Sequence, residues 1–254
     1  MPADQDLSRV ALIIPALNEA QNLDTLLPIL KKLGVGMIMV GDNGSTDGTA
    51  RVANSHGALV AHEPKRGYGA ACYTAMQLIE VTPAADGCDI FAFMGADHSD
   101  EPESLPDVVA PVLLDRSDMV IGARVPSLRK PGSMTFAQKN ANYLFAKLIR
   151  FGWGHRYTDL GPLRAIRRDC LNQIDMQDRA FGWTVEMQIR AVEEGLRIEE
   201  VPVPYAPRAD GTKGKISATV KGTLLAAWYI STTTARLYAT KRKRTKKRGQ
   251  PADP

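Results

Sequence analysis

The sequence predicts an α/β chain: a mostly parallel sheet with helices on both faces. Short apolar runs suited to buried strands alternate with segments whose apolar residues recur at helical spacing. Three of those runs break off into polar, glycine-rich sequence, where an open α/β sheet places its ligands. At 254 residues the chain can bury a full core, in one sizeable domain or two small ones.

"VALII" (10–14) reads as the first strand, followed by Leu23, Leu26, Leu27, Leu30 and Leu33 on one face of a helix. Asn18 is positioned to cap that helix, with Gln21 three residues on as its capping-box partner and Pro28 as a point of bending. "MIMV" (37–40), "ALVA" (58–61), "IFAF" (90–93) and "MVIG" (119–122) are the next strands. Helices are predicted from Asp47 to near Gly57 and from about Gly69 to Glu80. Beyond a Pro/Gly-rich loop (125–133) the pattern predicts a helix over 134–150, a strand "LRAI" (163–166) and a helix over 184–195 ended by Gly195. A strand follows over 197–205, confined to an edge by Pro202 and Pro204. Residues 216–240 read as a moderately apolar helix.

Composition narrows the class. Hydrophobic and charged residues make up 44% and 24%, ordinary for a globular protein. Cys72, Cys88 and Cys170 form no CxxC pair, so neither a zinc site nor a disulfide framework is indicated, which points to a reducing compartment. No secretory signal or transmembrane segment is expected, since no apolar run approaches about 18 residues. The net charge is +4, but "KRKRTKKR" (241–248) supplies seven positive charges and leaves the remainder at −3. This is an acidic-leaning domain with a cationic end, so nucleic acid is not the expected partner. The basic run reads either as a solvated, disordered terminus or as an attraction to anionic lipid head groups.

The strand ends carry the candidate chemistry: "PALNE" (15–19), "GDNGSTDGT" (41–49) and "GADHSDEP" (95–102). Between them "KRGYGAA" (65–71) sets Gly67 and Gly69 before a helix with Lys65 and Arg66 alongside, a pattern suited to cradling a diphosphate on backbone amides. Singly, each has a plainer reading: a strand-to-helix turn capped by Asp47, or a tight turn with close helix packing. Their order and spacing give them weight.

In that order the motifs resemble the GT-A-fold family 2 glycosyltransferases. "IIPALNE", "VGDNGSTDGT", "RGYGAA" and "MGADHSDEP" stand where that family has its P-x-x-N-E segment, its D-[DN]-G-S-x-D segment, its Gly-rich turn and its DxD motif. "DLGPLRAI" (159–166), "FGWTVEMQIRA" (181–191) and "VPVPYAPRADGTKGKIS" (201–217) extend the resemblance over roughly residues 8–240. Within the family the look is that of polyprenyl-phosphate sugar synthases of the dolichyl-phosphate mannose synthase type. This implies a GT-A (Rossmann-like) domain over 1–215, with a nucleotide-sugar half (about 8–124) and an acceptor half (about 125–215). A C-terminal helix (216–240), membrane-apposed, and a basic disordered tail (241–254) would follow.

The resemblance also implies a site. Pro15, Leu17 and Glu19 would border the nucleoside, and Asp42 would accept a hydrogen bond from the base. Glu19 can equally serve the helix dipole. Lys65, Arg66 and Gly67 would hold the diphosphate. Ala96 and Asp97 belong to the DxD motif, which holds Mg²⁺ or Mn²⁺ on the donor. Here Gly95 replaces its first carboxylate, leaving Asp97 as the metal ligand, with His98, Ser99, Asp100 and Glu101 close by. Alternatively Ser99 or Asp100 only caps the helix after Pro102. Asp159 would stand near the anomeric carbon as base or orienting carboxylate. Arg124, Lys139, Arg208 and Lys215 would bind an acceptor phosphate, with Lys213 competing for the last position. Trp183 and Glu186 would contact sugar, Trp183 having ordinary core as its other reading.

The function implied is metal-assisted, inverting transfer of a hexose or N-acetylhexosamine from a UDP- or GDP-sugar to a polyprenyl phosphate, on the inner face of the cell membrane. Two other readings stand beside it: a transferase with a soluble or glycan hydroxyl acceptor, and a non-catalytic nucleotide-sugar-binding protein.

Overall fold

The computed structural model describes residues 6–209 and 220–248. Its strands are β1 (Val10–Ala16), β2 (Met37–Asp42), β3 (Leu59–His62), β4 (Ile90–Phe93), β5 (Met119–Ala123), β6 (Arg164–Arg167) and β7 (Ile198–Pro202). They form one sheet in the order β3-β2-β1-β4-β6-β5-β7. The first four strands are mutually parallel, β6 runs antiparallel between β4 and β5, and β7 is parallel to β5. The predicted class holds, with β6 as the antiparallel exception, and Pro202 lies on the edge strand where its missing amide breaks no ladder.

Among the described residues eight α-helices pack on the sheet or on one another: α1 (Ala20–Lys32), α2 (Thr49–Ser55), α3 (Tyr68–Glu80), α4 (Leu105–Leu113), α5 (Phe136–Trp153), α6 (Arg168–Ile174), α7 (Trp183–Glu193) and α8 (Val220–Arg248). Alternation along each strand divides the core between the two faces. Ala11, Ile13, Phe91 and Phe93 face α3 and α7, whereas Leu12, Ile14, Ile90 and Ala92 face α1 and α4. Leu23, Leu26, Leu27 and Leu30 are buried as their spacing predicts.

Three expectations are corrected. Asn18 does not cap α1: it sits in a left-handed conformation (φ 52°), and its Oδ1 accepts from the Thr46 amide at 2.7 Å. The side chain that was to start the helix instead ties the ends of β1 and β2 together. The second helix begins at Thr49 rather than Asp47, whose Oδ1 accepts from the Thr49 amide at 2.9 Å. Finally, α8 does not stop at 240; its backbone stays helical through Arg248. Lys and Arg are good helix formers, and no breaker precedes Gly249 in the sequence.

The C-terminal helix is docked on the body. Thr233 Oγ1 donates to Asp178 Oδ2 at 2.6 Å, Leu237 is buried, Tyr229 packs on Phe181, and Tyr238 packs on Trp153. Gly182 makes the approach possible: a Cβ there would lie 2.3 Å from Thr233 Oγ1 and 2.4 Å from Asp178 Oδ2. Gly182→Ala is therefore expected to lose about 1–3 kcal/mol in chemical denaturation. The same loss should appear as roughly 2–4 °C of Tm per kcal/mol.

Candidate active site

The carboxyl ends of β1, β2 and β4 open into one cleft. Its walls include Pro15, Leu17 and Glu19 after β1, Asn43 after β2, Tyr68 on α3, Gly95, Ala96 and Asp97 after β4, and Phe181 and Arg208 from the second half. Four of the segments read from sequence thus meet in space, because parallel strands aim all their C-terminal loops the same way.

Asp42 is buried beside the cleft, its Oδ1 accepting from the Ser45 amide at 3.2 Å and its Oδ2 3.3 Å from His62 Nδ1. Glu19 is nearly buried, and its Oε2 accepts from Asn22 Nδ2 at 2.5 Å. Asn43 received no role from sequence, yet it fastens the 63–67 loop. Its Nδ2 donates to the carbonyls of Lys65 (2.7 Å) and Glu63 (3.3 Å), and its Oδ1 accepts from the Gly67 amide (2.8 Å).

That fastening takes the Gly67 amide out of the expected diphosphate cradle. The amides of Gly69 and Ala70 are already spent on the carbonyls of Ala180 and Arg179, at 3.0 and 2.9 Å. Gly67 and Gly69 are glycine because residues 178–179 pass so close: a Cβ would meet the Arg179 carbonyl oxygen at 2.1 Å from Gly67, and that of Asp178 at 2.5 Å from Gly69. Lys65 and Arg66 are exposed on the same loop and do not line the cleft.

The β4 loop coils back on itself. His98 takes a left-handed conformation (φ 57°), and its ring reaches Thr25 Oγ1 at 2.8 Å. Asp97 remains in the cleft, its Oδ1 accepting from the Ser99 amide (3.0 Å) and its Oδ2 paired with Arg208 Nε (2.9 Å). Asp100 is no helix cap. It is 1% exposed, its Oδ2 accepts from the Gly95 amide at 3.4 Å, and its Oδ1 is buried with no hydrogen-bond partner. Burial, reinforced by the Asp97 carboxylate, pushes its carboxyl up to about 7. Nor does Ser99 cap: the turn at 102–104 and α4 both begin without a side-chain cap.

Across residues 205–208 lies a second cavity, walled by α5, α8 and the start of α7. Met134, Phe145, Leu160, Ala226, Ala227 and Ile230 give it apolar walls, and Arg124, Gln138, Asn142, Thr184 and Tyr205 supply polar groups. Arg124 is held hard: its Nε and Nη2 donate to Asp159 at 2.7 and 2.9 Å, its amide donates to the same carboxylate at 3.0 Å, and its guanidinium stacks 4.9 Å from the Tyr205 ring centroid. Burial opposes its charge, but the Asp159 carboxylate prevails and raises its pKa.

Three expected contacts fall elsewhere, and a fourth lies outside the described residues. Trp183 is 1% exposed and packs against Phe93, so it is core. Glu186 is fully buried, accepting from the amides of Gln177 (3.0 Å) and Asp178 (2.5 Å) and paired with Arg190 (3.0 Å); it builds the 175–180 turn rather than meeting sugar. Lys139 is exposed on α5 and does not line the second cavity. Lys215, and its competitor Lys213, lie outside the described residues. Asp100, Asn43, Phe181 and Tyr205 were missed. Only Asp100 had a legible signal, a further acid in the same loop.

A mixed sheet whose parallel half brings Glu19 and Asp97 to one cleft, with Asp42 buried at the end of β2, has the GT-A glycosyltransferase fold. Residues 11–175 match the family described as Glycosyl transferase family 2, and the chain belongs to that family. It is 34% identical over 220 residues to an uncharacterized glycosyltransferase of Mycobacterium tuberculosis, spanning 85% of this chain and 94% of the relative. It is 30% identical over 225 residues to an undecaprenyl-phosphate mannosyltransferase of Micrococcus luteus, spanning 84% and 90%. The crystal structure of glucosyl-3-phosphoglycerate synthase from M. tuberculosis with phosphoglyceric acid is similar at TM-score 0.70 and 22% identity, over 91% of this chain and 80% of that one. The same enzyme with Mn²⁺, UDP and glucosyl-3-phosphoglycerate gives 0.69 at 21%, with the same coverage.

Removing Glu186 strips two amides of their acceptor and Arg190 of its partner inside the core. Glu186→Ala is expected to cost about 3–5 kcal/mol in urea unfolding. A variant as stable as the parent but weaker in sugar binding would restore the discarded role.

Proposed function

We propose that this glycosyltransferase moves a hexose or N-acetylhexosamine from a UDP- or GDP-sugar to a polyprenyl phosphate, with inversion, at a membrane surface. The observation that carries this reading is the second cavity: apolar side chains between α5 and α8, with the Arg124 guanidinium in the same lining. A hydrocarbon chain ending in phosphate has that chemistry, whereas a sugar hydroxyl does not call for it. The reading also agrees with what the M. luteus relative is named for.

Asp159 fits the same picture. Both its oxygens are engaged by Arg124, so it orients a cation rather than waiting for a proton. A phosphate monoester, with its second pKa near 6, is already largely ionised at neutral pH and needs no base. In the transfer the acceptor oxygen forms the new bond to the anomeric carbon as the nucleoside diphosphate leaves with its electron pair.

A divalent cation, Mg²⁺ or Mn²⁺, fits the donor cleft. Asp97 would hold it, and the buried Asp100 Oδ1 beside it lacks a partner. Bound there, it would neutralise charge on the leaving nucleotide. Among the described residues no cluster of three or more His, Cys, Asp or Glu stands ready for a metal, so phosphate and water would complete its shell.

Among the described residues no helix is long and apolar enough to cross a membrane. A surface for lying on one is nevertheless available on α5. Phe136 and Phe151 are 80% and 88% exposed, and with Tyr143, Leu144 and Leu148 they form an apolar stripe interleaved with Lys139, Lys147 and Arg150. Trp228 and Leu225 of α8 are exposed as well, and neither helix contains Asp or Glu. Apolar and cationic residues together, without acids, are the composition of an interfacial helix on anionic lipid. The basic run at the end of α8 adds to that charge.

Two experiments test the reading. Radiolabelled UDP- and GDP-sugars offered with polyprenyl phosphate, unphosphorylated polyprenol or 3-phosphoglycerate should label organic-extractable product only with the first. Label entering polyprenol or phosphoglycerate instead would overturn it. In sedimentation with anionic vesicles, Phe136→Ser combined with Phe151→Ser should weaken binding about tenfold or more, given roughly 1.5–3 kcal/mol for each large apolar side chain buried. Unchanged sedimentation would remove α5 from the surface.

A further inference from the structure

Gly95 is a glycine of the cleft that the fold does not account for. At Gly67, Gly69, Gly161 and Gly182 a Cβ would run into other atoms at 2.1–2.5 Å, so glycine is compulsory there. At Gly95 the nearest atoms to such a Cβ are Asp97 Oδ1 at 3.4 Å and Asp100 Oδ2 at 3.5 Å, ordinary contact distances. Its φ is not positive either. Neither backbone nor packing forbids a side chain at 95, and the space it would fill is bounded by two carboxylates.

The same loop delivers the second carboxylate. The left-handed turn at His98, anchored on Thr25, folds residues 99–100 back toward the end of β4, and the Gly95 amide donates to Asp100 Oδ2. Asp100 is then fixed from the other side: Ser99 O accepts from the Ala206 amide at 2.9 Å, and Asp100 bridges to Tyr205. What this leaves is a buried carboxylate with one oxygen, Oδ1, unmatched by any donor. A carboxylate oxygen sealed from water without a donor is costly unless a cation completes it.

We propose that Asp100 supplies the metal-binding carboxylate that position 95 lacks, so that Asp97 and Asp100 together hold a divalent cation on the donor diphosphate. The proposal rests on the donor-cleft reading above. Two carboxylates that both approach the Cβ position of Gly95 repel each other when ionised, and a divalent ion between them satisfies both. Arg208, now paired with Asp97, and Arg124 beyond Asp100 are the cations already facing the site; an incoming ion would share Asp97 with Arg208 or displace it.

Mn²⁺ affinity, read on the full chain from the loss of the free-ion paramagnetic resonance signal with and without UDP or GDP, tests the assignment. Asp100→Asn is isosteric and should weaken Mn²⁺ binding about tenfold or more. Its thermal melt should stay cooperative, and nucleotide binding in EDTA should be unchanged. Gly95→Asp placed in the Asp100→Asn background should recover Mn²⁺ affinity, since it returns a carboxylate to the same space. If Asp100→Asn binds Mn²⁺ as the parent does, or if Gly95→Asp rescues nothing, Asp100 is not a ligand. If the parent binds nucleotide equally well in EDTA and in Mn²⁺, the proposal fails while the donor cleft stands, with Arg208 as its cation. If the parent binds no nucleotide under either condition, the donor reading itself has failed.

Discussion

The buried pair between Arg124 and Asp159 is the interaction on which both halves of the site depend. Arg124 directly follows β5, Asp159 lies just before β6, and Tyr205, against which the guanidinium stacks, follows β7. One charge contact therefore joins the exits of β5 and β7 to the entry of β6, which runs antiparallel to both. Such a pair stabilises little by itself, because desolvating two ions costs about as much as their attraction returns; its work is to fix geometry. It also limits how Asp159 can be probed. Neutralising Asp159 leaves a buried cation unmatched, so loss of activity in such a variant would not show that Asp159 removes a proton.

Around this contact the second half of the chain is organised by close approach. The 178–182 turn accepts the first amides of α3 on its carbonyls, receives its own amides on Glu186 and Asp178, and takes Thr233 of α8 on Asp178. Gly67, Gly69 and Gly182 are the points where backbone or side chain comes too near for a Cβ. Helices α3 and α8 are thereby coupled through one turn, which places Phe181 in the cleft and Tyr229 against it.

The division of labour follows from this layout. Parallel strands bring Glu19, Asp42 and Asp97 to one end of the sheet. The helices of the second half build a cavity of apolar side chains with one well-fixed arginine among its polar groups, and turn an acid-free, aromatic face outward. The cleft and this cavity meet along residues 205–208.

Much of the fold was legible because periodicity is local. All seven strands stand where apolar runs placed them, and α1, α3, α5 and α7 follow their predicted spans closely. The motif residues of the donor cleft were legible for the same reason: a strand end and its loop are contiguous in sequence. What spacing cannot show is where a polar atom finds its partner. Asn18 was read as a cap and proved a tie to Thr46; the amides after Gly67 were read as a diphosphate cradle and proved to be satisfied by residues 179–180. Trp183 and Glu186 sit in a motif-like stretch, yet the turn and core around them, assembled from distant residues, absorb both. The sequence by itself determined the sheet, its two apolar faces and the acids at the strand ends. Only the tertiary structure decided which amides, carboxylates and arginines are spent on the fold and which, like the unmatched oxygen of Asp100, are left for a ligand, because hydrogen bonds and ion pairs are settled by contacts between segments that the order of residues does not reveal.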